Sequence, residues 1–183
     1  MSIRNKPFRS RDPWKQRILM MALFAMFGAL MACSRVIMAV LPNIHLLGML
    51  TMVYTVAFRY KALIPLYLYV LLNGIYAGFS MWWMPYLYVW TILWGTTMLL
   101  PKKMPRRVAL VAYSAVCALH GFLYGILYSP GQALMFGLDF EGTVAWIIAG
   151  IPFDIIHGVS NIFTGLLILP LSDLLKRLMA KAT

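Results

Sequence analysis

The sequence predicts an all-α integral membrane bundle of six transmembrane helices with both termini in the cytoplasm. Three observations carry that expectation. Apolar residues make up 62% of the 183 and charged residues only 11%, against about a quarter charged in a soluble domain. Too few polar groups exist to coat a water-soluble globule of this size, so lipid has to supply the outer solvent. At ~20 apolar residues per span the chain has room for five to seven helices and none for a second domain. The third observation is where the positive charge falls.

Residues 1–17 form a basic cytoplasmic leader with Arg4, Lys6, Arg9, Arg11, Lys15 and Arg17. The first apolar run covers 18–41, broken only by Ser34 and Arg35, and Pro42-Asn43 ends it as a turn. A short second helix is expected over 44–58, closed by Arg59 and Lys61. The third covers 62–79, with Pro65 in its first turn, where a missing N–H does little harm. Trp82 and Trp83 in the 80–85 segment suit a membrane interface. The fourth helix runs over 86–100 and stops at Pro101, before Lys102, Lys103, Arg106 and Arg107. The fifth covers 108–128, and 129–141 is read as the longest outer loop. The sixth runs from about 142 to 169. The six-helix domain is bounded at 171, and 172–183 is a basic tail with Lys176, Arg177 and Lys181.

With six spans, fifteen of the sixteen basic residues fall on one side, and the sixteenth, Arg35, lies within the first helix. This is the asymmetry that sets topology, with basic segments inside. The net charge of +11 therefore reports membrane orientation and not nucleic-acid binding. Cys33 and Cys117 both sit inside apolar runs and give neither a disulfide framework nor metal-ligand spacing. Leu30-Met31-Ala32-Cys33 resembles a lipoprotein cleavage site, but the apolar run continues past Arg35 to Leu41 instead of opening a polar mature start. No internal repeat points to an inverted-repeat transporter.

Polar groups within the spans are the candidates for function. Arg35, Asn73, Trp90, His120, Tyr124, Asp154 and His157 fall in the outer half or near the midplane, with Asn161 deeper. Such a skew fits a pocket opening outward, lined by aromatics with a few polar groups to fix orientation. Arg35 and Asp154 are the sharpest pair, because a charge within a span is costly unless paired or facing a cavity. Either they hold a polar ligand, or they pair with each other between the first and sixth helices. His120 and His157 either touch ligand or bond a neighbouring helix. Trp82, Trp83 and Tyr86 form an interface belt that can also lid a pocket. In the first helix Ala22, Ala25, Ala29 and Ala32 recur at spacings that place them on one face. Small residues let another helix approach closely in lipid, whether from the same chain or from a partner; packing within the chain is the plainer reading.

Several activities lack their motifs. No Walker A sequence and no HExxH are present. Gly158-Val159-Ser160-Asn161 beside His157 departs from the GxSG pattern of intramembrane serine proteases. No catalytic residue, metal site or cofactor is expected.

The chain resembles the S components of energy-coupling factor (ECF) transporters, the substrate-binding subunits of bacterial micronutrient importers. The likeness covers nearly the whole chain in size, helix number and basic inner loops. Ala25-xxx-Ala29, extended by Ala22 and Ala32, is similar to the AxxxA motif of that family's first helix. Pro152-Phe153-Asp154-Ile155-Ile156-His157-Gly158, with Asn161, Gly165 and Pro170-Leu171, resembles its sixth. The resemblance implies an outward pocket for a vitamin or related compound, docking on a transmembrane coupling subunit driven by two cytoplasmic ATPases, and toppling in the bacterial cytoplasmic membrane to release substrate. The alanines would then face the coupling subunit. The cap would come from Asn43-Ile44-His45 and the 80–85 segment including Trp83, with Asp139 and Glu141 at the rim. Trp90, Tyr124 and Tyr128 suit a flat heterocycle; Arg35 suits a carboxylate or phosphate, and Asp154 an amine or ring N–H. The competing readings are a standalone ion-coupled small-solute transporter with Asp154 and His157 as proton relay, a membrane enzyme using the same groups with His120, and an assembly protein.

Overall fold

The computed structural model describes residues 12–41 and 44–182. The described chain is all-helical: α1 Pro13–Ile37, α2 Leu47–Phe58, α3 Leu63–Ala77, α4 Tyr86–Leu99, α5 Arg106–Phe122, α6 Tyr124–Phe136, α7 Phe140–Gly165 and α8 Ile168–Ala182. Short 3₁₀ turns extend α1 over Met38–Val40, join α2 to α3 over Arg59–Ala62 and precede α4 over Met81–Trp83. Four helical segments are long and apolar enough to cross a membrane: Pro13–Val40, Leu47–Ala77, Arg106–Phe136 and Phe140–Gly165. The leader residues Arg4, Lys6, Arg9 and Arg11 and the Pro42-Asn43 turn lie outside the described residues.

Local chemistry sets the helix ends. α1 begins five residues before the apolar run because Asp12 accepts from Trp14 N at 2.9 Å and Pro13 occupies the first turn. α7 begins the same way, Asp139 accepting from Gly142 N at 2.8 Å. Gly137, at φ 65°, closes α6 in the left-handed region.

Two expectations from the sequence do not hold. Most of 129–141 is not a loop, since α6 continues to Phe136. Pro130 lies inside that helix and cannot supply an N–H to Ile126 O, but Ser129 Oγ donates to that carbonyl at 3.0 Å, so the turn keeps a partner. The sixth span ends at Gly165, where 3₁₀-type bonds at Leu166 and Leu167 redirect the chain. The basic tail is helical, within α8.

Packing places α2 at the centre. All nine residues from Leu47 to Thr55 are buried, and α1, α4, α5, α7 and α8 surround the helix. A helix apolar on every side is stable only when wrapped in this way. The most extensive helix pair is α5 with α7, followed by α1 with α3. Along the first pair, a Cβ on Gly121 would stand 2.9 Å from Gly158 Cα and one on Gly165 would stand 2.7 Å from Ser114 Cα. Ser114 Oγ donates to Ile162 O at 2.8 Å and Asn161 Nδ2 to Cys117 O at 3.1 Å. Backbones this close, with polar side chains bridging them, are how helices associate where lipid removes the hydrophobic drive.

The alanine stripe behaves differently. Ala22, Ala25 and Ala29 are exposed, and Ala32 is half-buried against the core. α1 meets α3 along the edge of this stripe, where Gly28 lies under Leu68. Around the perimeter large apolar side chains such as Met21, Ile75, Val111, Ile148 and Phe163 face outward, as a bundle solvated by lipid requires.

Candidate functional site

A cavity of about 340 Å³ opens at one end of the bundle, near the lower limit of the ~300–1,000 Å³ typical of ligand pockets. α1 contributes Arg35, the connection into α2 contributes His45, and Leu47 forms the floor as the first residue of α2. α4 adds Tyr86 and Trp90; α6 adds Tyr124, Gly125 and Tyr128. α7 supplies one face: Trp146, Gly150, Phe153, Asp154 and His157. The basic residues Arg59, Lys61, Lys102, Lys103, Arg106 and Arg107 occupy the opposite helix ends.

The wall is a continuous set of rings. Tyr124 lies with its ring centroid 5.0 Å from His157, 5.9 Å from Trp90 and 5.9 Å from Tyr128. Tyr128 stacks on Trp146 at 5.9 Å and its hydroxyl donates to Trp82 O. His45 meets His157 edge-on at 5.7 Å. Two buried residues on this wall carry ring nitrogens without a hydrogen-bond partner among the described residues, Trp90 Nε1 and His157 Nε2. An unmade hydrogen bond on a buried group costs about 1–3 kcal/mol, a cost that a bound molecule offering complementary groups removes.

The two intramembrane charges share the cavity but do not form an ion pair; among the described residues the salt bridge is Arg106–Asp173, at 3.1 Å. Asp154 instead accepts from Gly125 N at 2.9 Å. That N–H belongs to the first turn of α6, where backbone donors lack helical partners. Position 125 has to be glycine for this approach, because a Cβ there would stand 2.5 Å from Asp154 Oδ2. Arg35 sits within electrostatic reach of His45 and Tyr69. Burial, aided by the Arg35 charge, lowers the His45 pKa to about 4, because both disfavour a second cation.

Seven of the candidates named from the sequence therefore meet in one place: Arg35, His45, Tyr86, Trp90, Tyr124, Asp154 and His157. His120 stands behind them, 5.6 Å from the Trp90 ring centroid, with Nε2 at 3.2 Å from Val89 O. Three candidates lie off the cavity wall. Asn73 lines an apolar groove of about 550 Å³ between α1 and α3, which Ala29, Ala32 and Arg35 also border. Trp83 donates its Nε1 to Val70 O at 2.8 Å, pinning the turn before α4 to α3. Asn161, fully buried, bonds α5 below the cavity. Asn43 lies outside the described residues. Asp139, expected at the rim, is committed to capping α7. Sequence reasoning does not single out Trp146, Gly150 and Phe153, although the periodicity that joins Asp154 to His157, carried two turns upstream, points to them.

These features define a class, a multi-pass helical membrane protein with one aromatic, polar-tipped cavity at one end. In comparisons with protein-family models, curated proteins and solved structures, none matches this chain.

Proposed function

We propose that this chain is the substrate-capturing membrane subunit of an ATP-driven importer of the energy-coupling factor kind, taking up a vitamin or related micronutrient across the bacterial cytoplasmic membrane. In this reading the spans are α1, α2, α3, α4, the α5–α6 rod and α7, and both termini are cytoplasmic. The observation that carries it is the polarity of the bundle: the cavity lies at one end and the basic segments at the other. Positive charge marks the cytoplasmic end, so the cavity faces outward. The exposed alanines of α1 suit close docking of a helix from the coupling subunit, which couples in turn to two cytoplasmic ATPases.

The first test is mass spectrometry of the purified chain after denaturation. A vitamin-like compound at near-equal stoichiometry supports capture. Uptake of that compound should then require a coexpressed coupling module and its ATPase activity. Uptake by the chain alone that collapses with a protonophore would replace this reading with ion-coupled transport.

A further inference from the structure

We infer that the cavity takes a flat ring compound bearing an acidic group, which Arg35 holds. The inference rests on the reading of the cavity as a solute site and adds the charge and shape of what enters it.

The acidic residues of the chain leave Arg35 without a counter-charge. There are five of them. Asp12 caps α1 and Asp139 caps α7. Asp173 pairs with Arg106 at 3.1 Å, and Glu141 is exposed in the first turn of α7. Asp154 is the remaining carboxylate, and its Oδ2 is taken by Gly125 N at 2.9 Å. None forms a salt bridge with Arg35.

Asp154 is not a direct partner of Arg35: its bonded oxygen is turned to Gly125 N and the two side chains form no salt bridge. The guanidinium therefore has no counter-ion in contact with it, and the neighbouring His45 stays neutral at ordinary pH. A cation within a span is stable when paired or facing a polar cavity, and an entering anion completes the pair. The guanidinium fork offers two parallel donors to a carboxylate or phosphate.

Shape follows from the rest of the wall. Tyr86, Trp90, Tyr124, Tyr128, Trp146 and Phe153 present rings around a space of about 340 Å³, which suits one or two fused rings lying between aromatic faces. Asp154, whose second oxygen has no donor among the described residues, accepts a ring N–H or amino group at the far end.

The test uses the purified full chain in neutral detergent and matched probes: pyridine-3-carboxylate against pyridine-3-carboxamide, and indole-3-acetate against indole-3-acetamide. Binding is read by quenching of tryptophan fluorescence and by thermal shift, beside mass spectrometry of co-purified molecules. The acid of a pair should bind about tenfold tighter than its amide. Arg35→Gln should erase that preference. Asp154→Asn should weaken acid and amide alike and keep the preference. An acid preference that survives Arg35→Gln, tighter binding of the amides, or a co-purified ring compound with no acidic group would overturn the charge assignment and leave solute capture standing. Recovery of phospholipid alone, or of no molecule together with no binding by any probe, would overturn solute capture itself.

Discussion

Two stripes of small residues run along this molecule, and they do opposite things. Ala22, Ala25, Ala29 and Ala32 on α1 share a helical face, as do Gly158, Asn161 and Gly165 on α7. The α7 face meets Gly121, Cys117 and Ser114 of α5 at backbone contact. The α1 face is exposed at Ala22, Ala25 and Ala29 among the described residues, with Ala29 at the edge of the groove against α3. Spacing thus marks where a close helix approach is possible, and polar side chains distinguish an approach the chain makes with itself. Ser114 and Asn161 would be costly facing lipid without partners, whereas alanine is at ease there.

Substitutions along the two stripes can sharpen or break this contrast. The largest effect is expected from Gly165→Leu, because the new side chain would meet the Ser114 backbone, its Cβ alone standing 2.7 Å from Cα. A loss of about 3 kcal/mol, the upper part of the usual overpacking range, should appear as a lowered unfolding midpoint in detergent. Asn161→Ala removes the bridge to Cys117 O and leaves space at a fully buried site; about 1–2 kcal/mol should go with it. Equilibrium unfolding in mixed micelles would measure it, and an unchanged stability would mean the bond adds nothing to the seam.

Gly28→Ala is expected to cost about 1 kcal/mol. Its Cβ would stand 2.8 Å from Leu68 Cδ2 and 3.0 Å from Leu68 Cβ, which no rotation moves, so the two helices must separate slightly, while alanine returns about 1 kcal/mol of helix propensity. A large loss there would show that α1 and α3 are as rigidly joined as α5 and α7. The smallest effect on the isolated chain belongs to Ala25→Leu, within about 0.5 kcal/mol of the parent, as for exposed positions generally. The same variant should lose co-purification with the coupling subunit if the proposed docking holds. Ala25→Leu that lowers the midpoint as Gly165→Leu does would erase the distinction between the stripes.

The fold is largely legible in the sequence because its signals are local. Apolar runs bounded by Pro101 or by the Arg59–Lys61 pair place helix ends within a few residues of α2, α3 and α4. The apolar run alone places the start of α1 too late, because the Asp12-Pro13 cap extends the helix beyond its apolar stretch. The 129–141 segment reads as a loop because Pro130 and Gly131 look like punctuation; the hydroxyl of Ser129 that makes the proline tolerable in a helix is a contact that composition does not reveal. Within the site, ionisable and aromatic residues in apolar runs stand out readily. Their sorting is harder: Asn73 and Asn161 carry the same amide as a ligand-binding asparagine would, yet lie off the cavity wall.

The sequence by itself determined that this is a helical membrane protein, where its basic face lies, and that Arg35, Asp154 and the histidines are the residues to watch. Those properties depend on hydropathy and charge, which each residue carries with it. Only the tertiary structure decided that Asp154 answers to Gly125 N at 2.9 Å and not to Arg35. It also decided that Trp146 and Phe153 line the cavity and that Ala22, Ala25 and Ala29 are exposed. Such choices depend on which helix faces meet between segments far apart in the chain, and a helical sequence presents every face with equal clarity until another helix covers one.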